Sequence, residues 1–137
     1  MDALSQEMYE AVMRGDTQMV LVLLEQGADV NYRAWGNRTA LLEAATRGHA
    51  DLLTLLLDHR ADIEAVNTQG QTALMRAAMY SKRNCMLILL AHGAQTNAKD
   101  KYKMRALDYA VRYSRTAATE ILLAAMGLDI EQYVPIG

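Results

Sequence analysis

Several features that mark other protein classes are scarce or missing in this chain of 137 residues. Phenylalanine is absent, and a single cysteine, Cys85, excludes an intrachain disulfide, which agrees with a reducing compartment. No apolar run approaches the roughly 20 residues that cross a membrane, and the N-terminus lacks the basic and apolar segments of a signal peptide. No long stretch of proline, serine or one sign of charge predicts a linker. We therefore expect one cytoplasmic domain over residues 1–137, without membrane contact.

Motifs that carry catalysis are also missing. The chain contains no G-x-G-x-x-G, no G-x-x-x-x-G-K-[ST] and no G-x-S-x-G. Its three histidines, His49, His59 and His92, are not joined by the cysteines or clustered carboxylates that would complete a zinc site. We therefore predict no enzyme activity, no cofactor, no metal and no small-molecule substrate. A net charge of −2 argues against a general nucleic-acid binder.

What the chain does contain is a repeat. The stretch 39–57 returns thirty-three residues later as 72–90, and again as 105–123. A fixed period of this size indicates stacked supersecondary units, each of which buries its apolar face only against its neighbours. The expected repeats cover about 1–33, 34–66, 67–99 and 100–137.

Each repeat contains two short apolar patterns. In the second repeat, Leu41 and Ala44 belong to a helical stripe, and the segment 52–57 is more fully apolar. Thr39 can cap the first helix, and Gly48 can take the left-handed geometry that ends it. The predicted helices cover residues 3–13, 17–26, 39–46, 50–59, 73–80, 83–92, 106–113 and 116–125.

These residues resemble the ankyrin repeat, whose pattern is roughly D-x-x-G-x-T-P-L-H-x-A-A-x-x-G-H…L-L-x-x-G-A-D-x-N. The second repeat matches this pattern at Thr39, Leu41, Ala44, Ala45, Gly48, His49, Leu56, Leu57, Ala61 and Asp62. The resemblance implies an all-α solenoid of four stacked helix-turn-helix units with projecting β-turn or hairpin loops. It also implies that His49 is structural and that Asn31 and Asn97 brace loops.

No unit keeps the Pro-Leu-His of the first helix, which reads Ala-Leu-Leu, Ala-Leu-Met and Ala-Leu-Asp in the last three units, and four further substitutions depart from the family pattern. Ser81 and Ser114 replace the glycine between the paired helices, which should cost about 1–2 kcal/mol each if that position is left-handed. Lys103 replaces the loop glycine of the fourth unit, and Arg105 replaces its threonine. We therefore expect the last hairpin to differ in detail.

The two ends of the stack need polar caps or a covering segment. We expect Ser5, Glu7 and Gln18 to lie on the solvated side of the first unit. The tail, with Ile130, Tyr133, Val134 and Ile136, either folds back over the last unit or frays.

The resemblance implies that partners dock on the hairpin tips and on the exposed face of the first helices. Glu43, Gln71 and Tyr109 are expected on this face as well. It holds eight basic and two acidic groups against six and fourteen elsewhere, so it carries +6 and the remainder −8. The predicted partner-binding residues are Arg33, Trp35, Arg38, Arg47, Arg76, Met79, Tyr80, Lys101, Tyr102, Arg112 and Tyr113.

Three functions are compatible with these residues. The favoured hypothesis is a non-enzymatic protein-binding module (an adaptor, scaffold or inhibitor), monomeric when unbound, that holds an acidic or amphipathic protein segment on its basic and aromatic concave face. The alternative is a nucleic-acid-binding module that uses the basic hairpin tips, although the overall acidity counts against it. The third is an enzyme whose site is not recognisable from its motifs.

Overall fold

The computed structural model describes residues 2–129 and 131, and this part of the chain forms eight α-helices. They are α1 (Ala3–Arg14), α2 (Thr17–Glu25), α3 (Ala40–Arg47), α4 (Ala50–Asp58), α5 (Ala73–Met79), α6 (Arg83–Ala91), α7 (Ala106–Arg112) and α8 (Thr116–Ala125). Each boundary lies within one residue of the prediction. Among the described residues there is no strand, so the all-α fold class is confirmed.

The helices form two layers. The odd-numbered helices α1, α3, α5 and α7 pack side by side, and we call them the inner layer. The even-numbered helices α2, α4, α6 and α8 pack in the same order as the outer layer, and each contacts the inner helix of its own unit. The result is the stack of four helix-turn-helix units that the period predicts.

The core lies between the layers and repeats with the sequence. Leu41, Leu74 and Leu107 occupy equivalent positions, and each is at most 2% exposed. Ala44 and Ala77 are fully buried in the inner layer, where small side chains let neighbouring helices approach closely. Burial of one leucine contributes about 1.5–3 kcal/mol to stability. The same few apolar positions therefore stabilise every unit.

The caps of the inner helices show how one departure from the pattern is compensated. The hydroxyls of Thr39 and Thr72 each accept a helix N–H at 3.2 Å. In the fourth unit Arg105 takes the threonine position, and Asp108 accepts its backbone N–H at 2.9 Å and its guanidinium Nε–H at 3.2 Å. The fourth inner helix thus lacks the hydroxyl cap, and an acidic side chain of its first turn accepts the N–H of the residue before the helix.

The turns between paired helices keep one backbone geometry through both halves of the stack. Gly15 and Gly48 have φ of 74° and 75°, and Ser81 and Ser114 have φ of 54° and 56°. Both serines are therefore left-handed, which is the condition under which the sequence predicted a cost. Each serine carries the strain of about 1–2 kcal/mol that a side chain introduces there.

The last hairpin also keeps the geometry of the one before it. Asp100 N–H donates to the Met104 carbonyl at 3.0 Å, as Asn67 N–H donates to the Gln71 carbonyl at 3.2 Å. Lys103 takes the left-handed φ of 63° although the family glycine is missing. The difference that we expected in this hairpin is therefore confined to its side chains.

The first unit corrects one expectation. Ser5 is fully buried, because its hydroxyl accepts the Asp29 N–H at 2.7 Å and donates to the Asp2 carboxylate. Glu7 and Gln18 are exposed, as expected for a cap.

Tail residues Ile130, Tyr133, Val134 and Ile136 lie outside the described residues. Every helix of the described chain is too short to cross a lipid bilayer.

Candidate partner-binding surface

The hairpin tips lie side by side and are joined by backbone hydrogen bonds. Thr68 N–H donates to the Gly36 carbonyl at 3.2 Å, and Lys101 N–H donates to the Gln69 carbonyl at 3.0 Å. The tips approach so closely that a Cβ on Gly70 would lie 3.2 Å from the Lys101 nitrogen. Three successive tips therefore form one continuous row, which we call the tip row.

A groove of about 670 Å³ lies between the first two tips and the inner layer. Its loop side is lined by Trp35, Arg38, Asn67 and Gln69, and its helix side by Leu42, Glu43, Thr46, Arg47 and Arg76. Polar and charged side chains dominate both sides, which suits an elongated polar segment better than a compact apolar ligand.

The inner helices carry three side-chain pairs at equivalent positions, four residues apart in each helix. The pairs are Glu43 with Arg47 in α3, Arg76 with Tyr80 at the end of α5, and Tyr109 with Tyr113 at the end of α7. The first is an ion pair with an Nε–Oε2 distance of 3.2 Å. The second places the guanidinium carbon 5.3 Å from the ring centroid, and the third is a ring stack with centroids 6.2 Å apart. The surface therefore changes along the stack from paired charges to aromatic rings.

Arg76 is held in place by the residues around it. Its Nε–H donates to the Thr46 hydroxyl at 3.2 Å, and its Nη1 donates to the Gln71 side-chain oxygen at 3.1 Å. Thr46 belongs to the preceding unit, so the guanidinium bridges α3 and α5. A long side chain that is usually mobile is fixed here before any partner arrives.

A buried network connects the third and fourth units below the tip row. Gln71 Nε2 donates to the Tyr109 hydroxyl at 3.2 Å, and that hydroxyl donates to the Asp100 carboxylate. Asp100 also accepts the backbone N–H groups of Tyr102 at 2.8 Å and Met104 at 3.0 Å. Burial, followed by the bond to Asp100, raises the pKa of Tyr109 to about 12. The network therefore fixes the third tip to α7.

Three residues that we expected on the partner-binding face are buried instead. Glu43, Gln71 and Tyr109 are 8%, 6% and 4% exposed. Their polar atoms are occupied by the ion pair and the network described above, because a buried polar group without a partner is costly. They belong to the framework of the surface and not to the face that a partner would contact.

The predicted partner-binding residues other than Arg33 fall into four places. Trp35, Arg38, Arg47 and Arg76 line the groove. Met79 and Tyr80 adjoin it at Arg76, Lys101 and Tyr102 extend the tip row, and Arg112 and Tyr113 end α7. Arg33 lies apart from the groove lining, and its Nη1 donates to the carbonyls of Asn37 at 3.4 Å and Val66 at 3.3 Å. The structure thus gives Arg33 a bracing contact between two loops.

Each exposed aromatic ring on the tip row is accompanied by a cation. Trp35 is 87% exposed, and the Arg38 guanidinium lies 6.0 Å from its ring centroid. Tyr102 is 59% exposed, and the Lys101 ammonium lies 5.2 Å from its ring centroid. Such pairs place positive charge and an apolar ring at one contact point.

Four lining residues were not predicted: Gly36, Leu42, Thr46 and Asn67. Thr46 is equivalent by the thirty-three-residue period to Met79 and Arg112, which were predicted, so the period could have identified it. Asn67 begins the second tip. Thr46 matters because it fixes Arg76.

The cysteine and the histidines have structural surroundings. Cys85 is 1% exposed, and burial raises the pKa of its thiol to about 11, so it is a poor nucleophile at neutral pH. His59 and His92 end α4 and α6, and each Nδ1 lies 2.9–3.0 Å from a carbonyl of the last helical turn. His49 packs over the first inter-helix turn, where its ring would meet a Cβ on Gly15 at 3.1 Å. The described residues contain no His, Cys, Asp or Glu group suited to a metal ion.

The loops that brace the stack follow the same period. Asn31 Oδ1 accepts the Asp62 N–H at 2.7 Å, which confirms the bracing contact implied for this asparagine. Glu64 occupies the equivalent position one unit later, and its carboxylate accepts the Gln95 N–H at 3.0 Å. Each loop is thus fixed to the next, which keeps the tips in register.

Comparison with known proteins agrees with this geometry. A family model for ankyrin repeats in three copies matches residues 61–133, and a model for ankyrin repeats in many copies matches residues 8–57. The comparison with curated proteins finds no sequence that matches the chain. Because the two family models together span most of the four repeats, the chain belongs to the ankyrin repeat family.

Proposed function

We propose that this chain is a non-enzymatic adaptor, scaffold or inhibitor that holds an acidic or amphipathic protein segment against the groove and the tip row. Ankyrin repeats are generally protein–protein interaction modules. The cytoplasmic location and the monomeric state expected from the sequence remain predictions of the same proposal.

The pairing of exposed aromatic rings with cations along the tip row carries the proposal. Trp35 with Arg38 and Tyr102 with Lys101 present positive charge beside apolar surface. Positive charge steers an acidic partner during encounter, and buried aromatic contacts slow its dissociation. An acidic segment with some apolar side chains matches both properties.

Selection of random twelve-residue peptides displayed on phage, with the immobilised wild-type chain as bait, tests the proposal. We expect enrichment of peptides rich in Asp and Glu, with on-rates that fall as salt rises. Lys101→Glu should weaken binding of the selected peptides about threefold or more, because it reverses one exposed charge of the tip row. Arg83→Glu is the matched control, since Arg83 is exposed beside an inter-helix turn and away from the tips.

An aromatic variant tests the short-range part of the proposal. Trp35→Ala should raise the off-rate about fivefold or more, which corresponds to about 1 kcal/mol. Leu87→Ala removes an apolar side chain from the outer layer that is 52% exposed, and it should leave the off-rate unchanged. Equal effects of the two variants would contradict the assignment of the surface.

Binding of single-stranded nucleic acid is the second candidate, and it gains its support from the same alternation of rings and cations. A twenty-nucleotide single-stranded DNA should compete poorly with the selected peptides, because the chain as a whole is acidic. Competition by the oligonucleotide at lower concentration than the peptide would favour the nucleic-acid function.

A further inference from the structure

Arg76 differs from the residues at equivalent positions in the other units. The thirty-three-residue period aligns it with Glu10, Glu43 and Tyr109. In the second unit this position supplies a carboxylate that neutralises Arg47, and in the fourth it supplies a ring that stacks on Tyr113. The third unit alone places a cation at this inner-layer position, and it does so at the wall of the groove.

The guanidinium of Arg76 is fixed on one side and available on the other. Nε and Nη1 are engaged by Thr46 and Gln71, and the ring of Tyr80 lies 5.3 Å from the guanidinium carbon. Among the hydrogen bonds of the described residues, none uses Nη2 of Arg76. A side chain that is already ordered loses little conformational entropy when it binds a ligand.

The charges around the groove favour one carboxylate as the ligand. The lining contains Arg38, Arg47 and Arg76 against a single acidic side chain, Glu43. Glu43 is 8% exposed and is paired with Arg47, so two cations remain without an acidic partner among the lining residues. A carboxylate carries a single negative charge and accepts N–H donors in the plane of its oxygens, which suits the planar guanidinium of an arginine that lines the groove.

We propose that Arg76 determines the specificity of this surface by binding one Asp or Glu carboxylate of the partner segment through Nη2, and that Thr46 is the positioning residue that holds it for this contact. The inference rests on the proposed function and adds to it a defined chemical group, a defined atom and a defined place along the stack. The tip row then receives the flanking part of the segment.

The test uses the peptides selected on the wild-type chain and two conservative variants. Arg76→Lys keeps the charge but loses the fixed planar group, and it should weaken peptide binding about tenfold with little change in the salt dependence. Thr46→Val keeps the shape and the neutral charge of the side chain but removes the acceptor of Arg76 Nε–H. It should weaken peptide binding about threefold. Circular dichroism and the melting temperature verify that both variants remain folded at the assay temperature.

A double-mutant cycle separates a direct contact from a general effect on the fold. Replacing each Glu or Asp of the peptide in turn by Gln or Asn should identify one position where the loss is about tenfold on the wild-type chain and less than about twofold on Arg76→Lys. A purely structural role of Arg76 would give the same relative losses on both proteins and would overturn the inference.

Three further results distinguish failure of the proposed function, failure of this inference alone and recognition of a phosphate. If no acidic peptide is selected, the proposed function fails and this inference fails with it. If acidic peptides are selected and Arg76→Lys binds them as well as the wild type, only this inference fails. A phosphoserine in place of the coupled residue should bind no more tightly than the carboxylate. A gain of tenfold or more would show that the group recognised is a phosphate.

Discussion

The first two units and the last two units share one backbone but differ in the chemistry of their side chains. The inter-helix turns contain Gly15 and Gly48 in the first half and Ser81 and Ser114 in the second, yet all four are left-handed. The inner-layer pairs change from ionic in α3 to cation with ring in α5 and to stacked rings in α7.

The stack requires particular residues in its core but permits different residues on its surface. Buried leucines and alanines at equivalent positions fix the distance between helices, and the turns follow even where the local residue is unfavourable. The exposed members of the three pairs, Arg47, Tyr80 and Tyr113, lie outside that packing, so these positions are free to vary and to carry a binding function.

The strongest test compares the core of the two halves. Leu56 and Leu89 occupy equivalent outer-layer positions, and both are fully buried. Changing either to Ala should lower the free energy of unfolding by about 2–5 kcal/mol, since each leaves a cavity. Urea denaturation followed by circular dichroism measures the loss, and Leu87→Ala on the exposed side is the control. A loss below about 1 kcal/mol at only one of the two sites would show that the halves are packed unequally.

A second test addresses the cap that is special to the fourth unit. Asp108→Ala removes both the ion pair with Arg105 and the bond to its backbone N–H, and it should cost about 1–3 kcal/mol. Adding Arg105→Thr restores the hydroxyl cap used at Thr39 and Thr72, and it should recover about 1 kcal/mol. If the double variant is no more stable than Asp108→Ala in urea denaturation, the two types of cap are not interchangeable.

The dependence of stability on pH tests the burial of the Cys85 thiol. Leu52 and Ala118 occupy the equivalent positions in the neighbouring units. Burial raises the pKa of Cys85 from 9.0 to about 11 in the folded chain. The unfolded chain therefore loses this proton first. The contribution to stability is complete below pH 9 and is lost as the pH rises through about 11.

We expect this ionisation to lower the free energy of unfolding by about 1 kcal/mol near pH 10 relative to pH 8. Cys85→Ala, which copies the fourth unit, should show a smaller decline over the same interval in urea denaturation. Tyr109 adds its own decline at higher pH, since its pKa is raised to about 12. An identical decline in both proteins would mean that the thiol is accessible to solvent.

The smallest expected effect concerns the left-handed turns. Ser81→Gly and Ser114→Gly should each raise stability by about 0.5 kcal/mol, because relief of left-handed strain exceeds the entropy that glycine loses on folding. The reciprocal change Gly48→Ser should destabilise the first half, where a Cβ would lie 2.8 Å from the Lys82 Cδ. Melting temperatures measured by calorimetry should therefore move in opposite directions. Destabilisation by Ser81→Gly would show that the serine side chain stabilises the turn.

Most of the fold could be predicted from the sequence. The thirty-three-residue period with its leucine and alanine positions located all eight helices of the described chain to within one residue. The site was predicted only as a set of positions. The period placed Arg47, Arg76 and Tyr80 on one face, because solvent-facing positions repeat as regularly as buried ones. It did not distinguish the exposed Tyr113 from the buried Tyr109, which lie one helical turn apart.

The repeat, the helices, the apolar core and the general location of the basic and aromatic residues follow from local periodicity, so they could be predicted from the sequence. The burial of Glu43, Gln71 and Tyr109 and the contacts that fix Arg76 depend on how the folded units pack. These contacts join residues of different units or of a loop and a helix. Their geometry depends on how closely the units stack, and the pattern within one unit does not contain that distance.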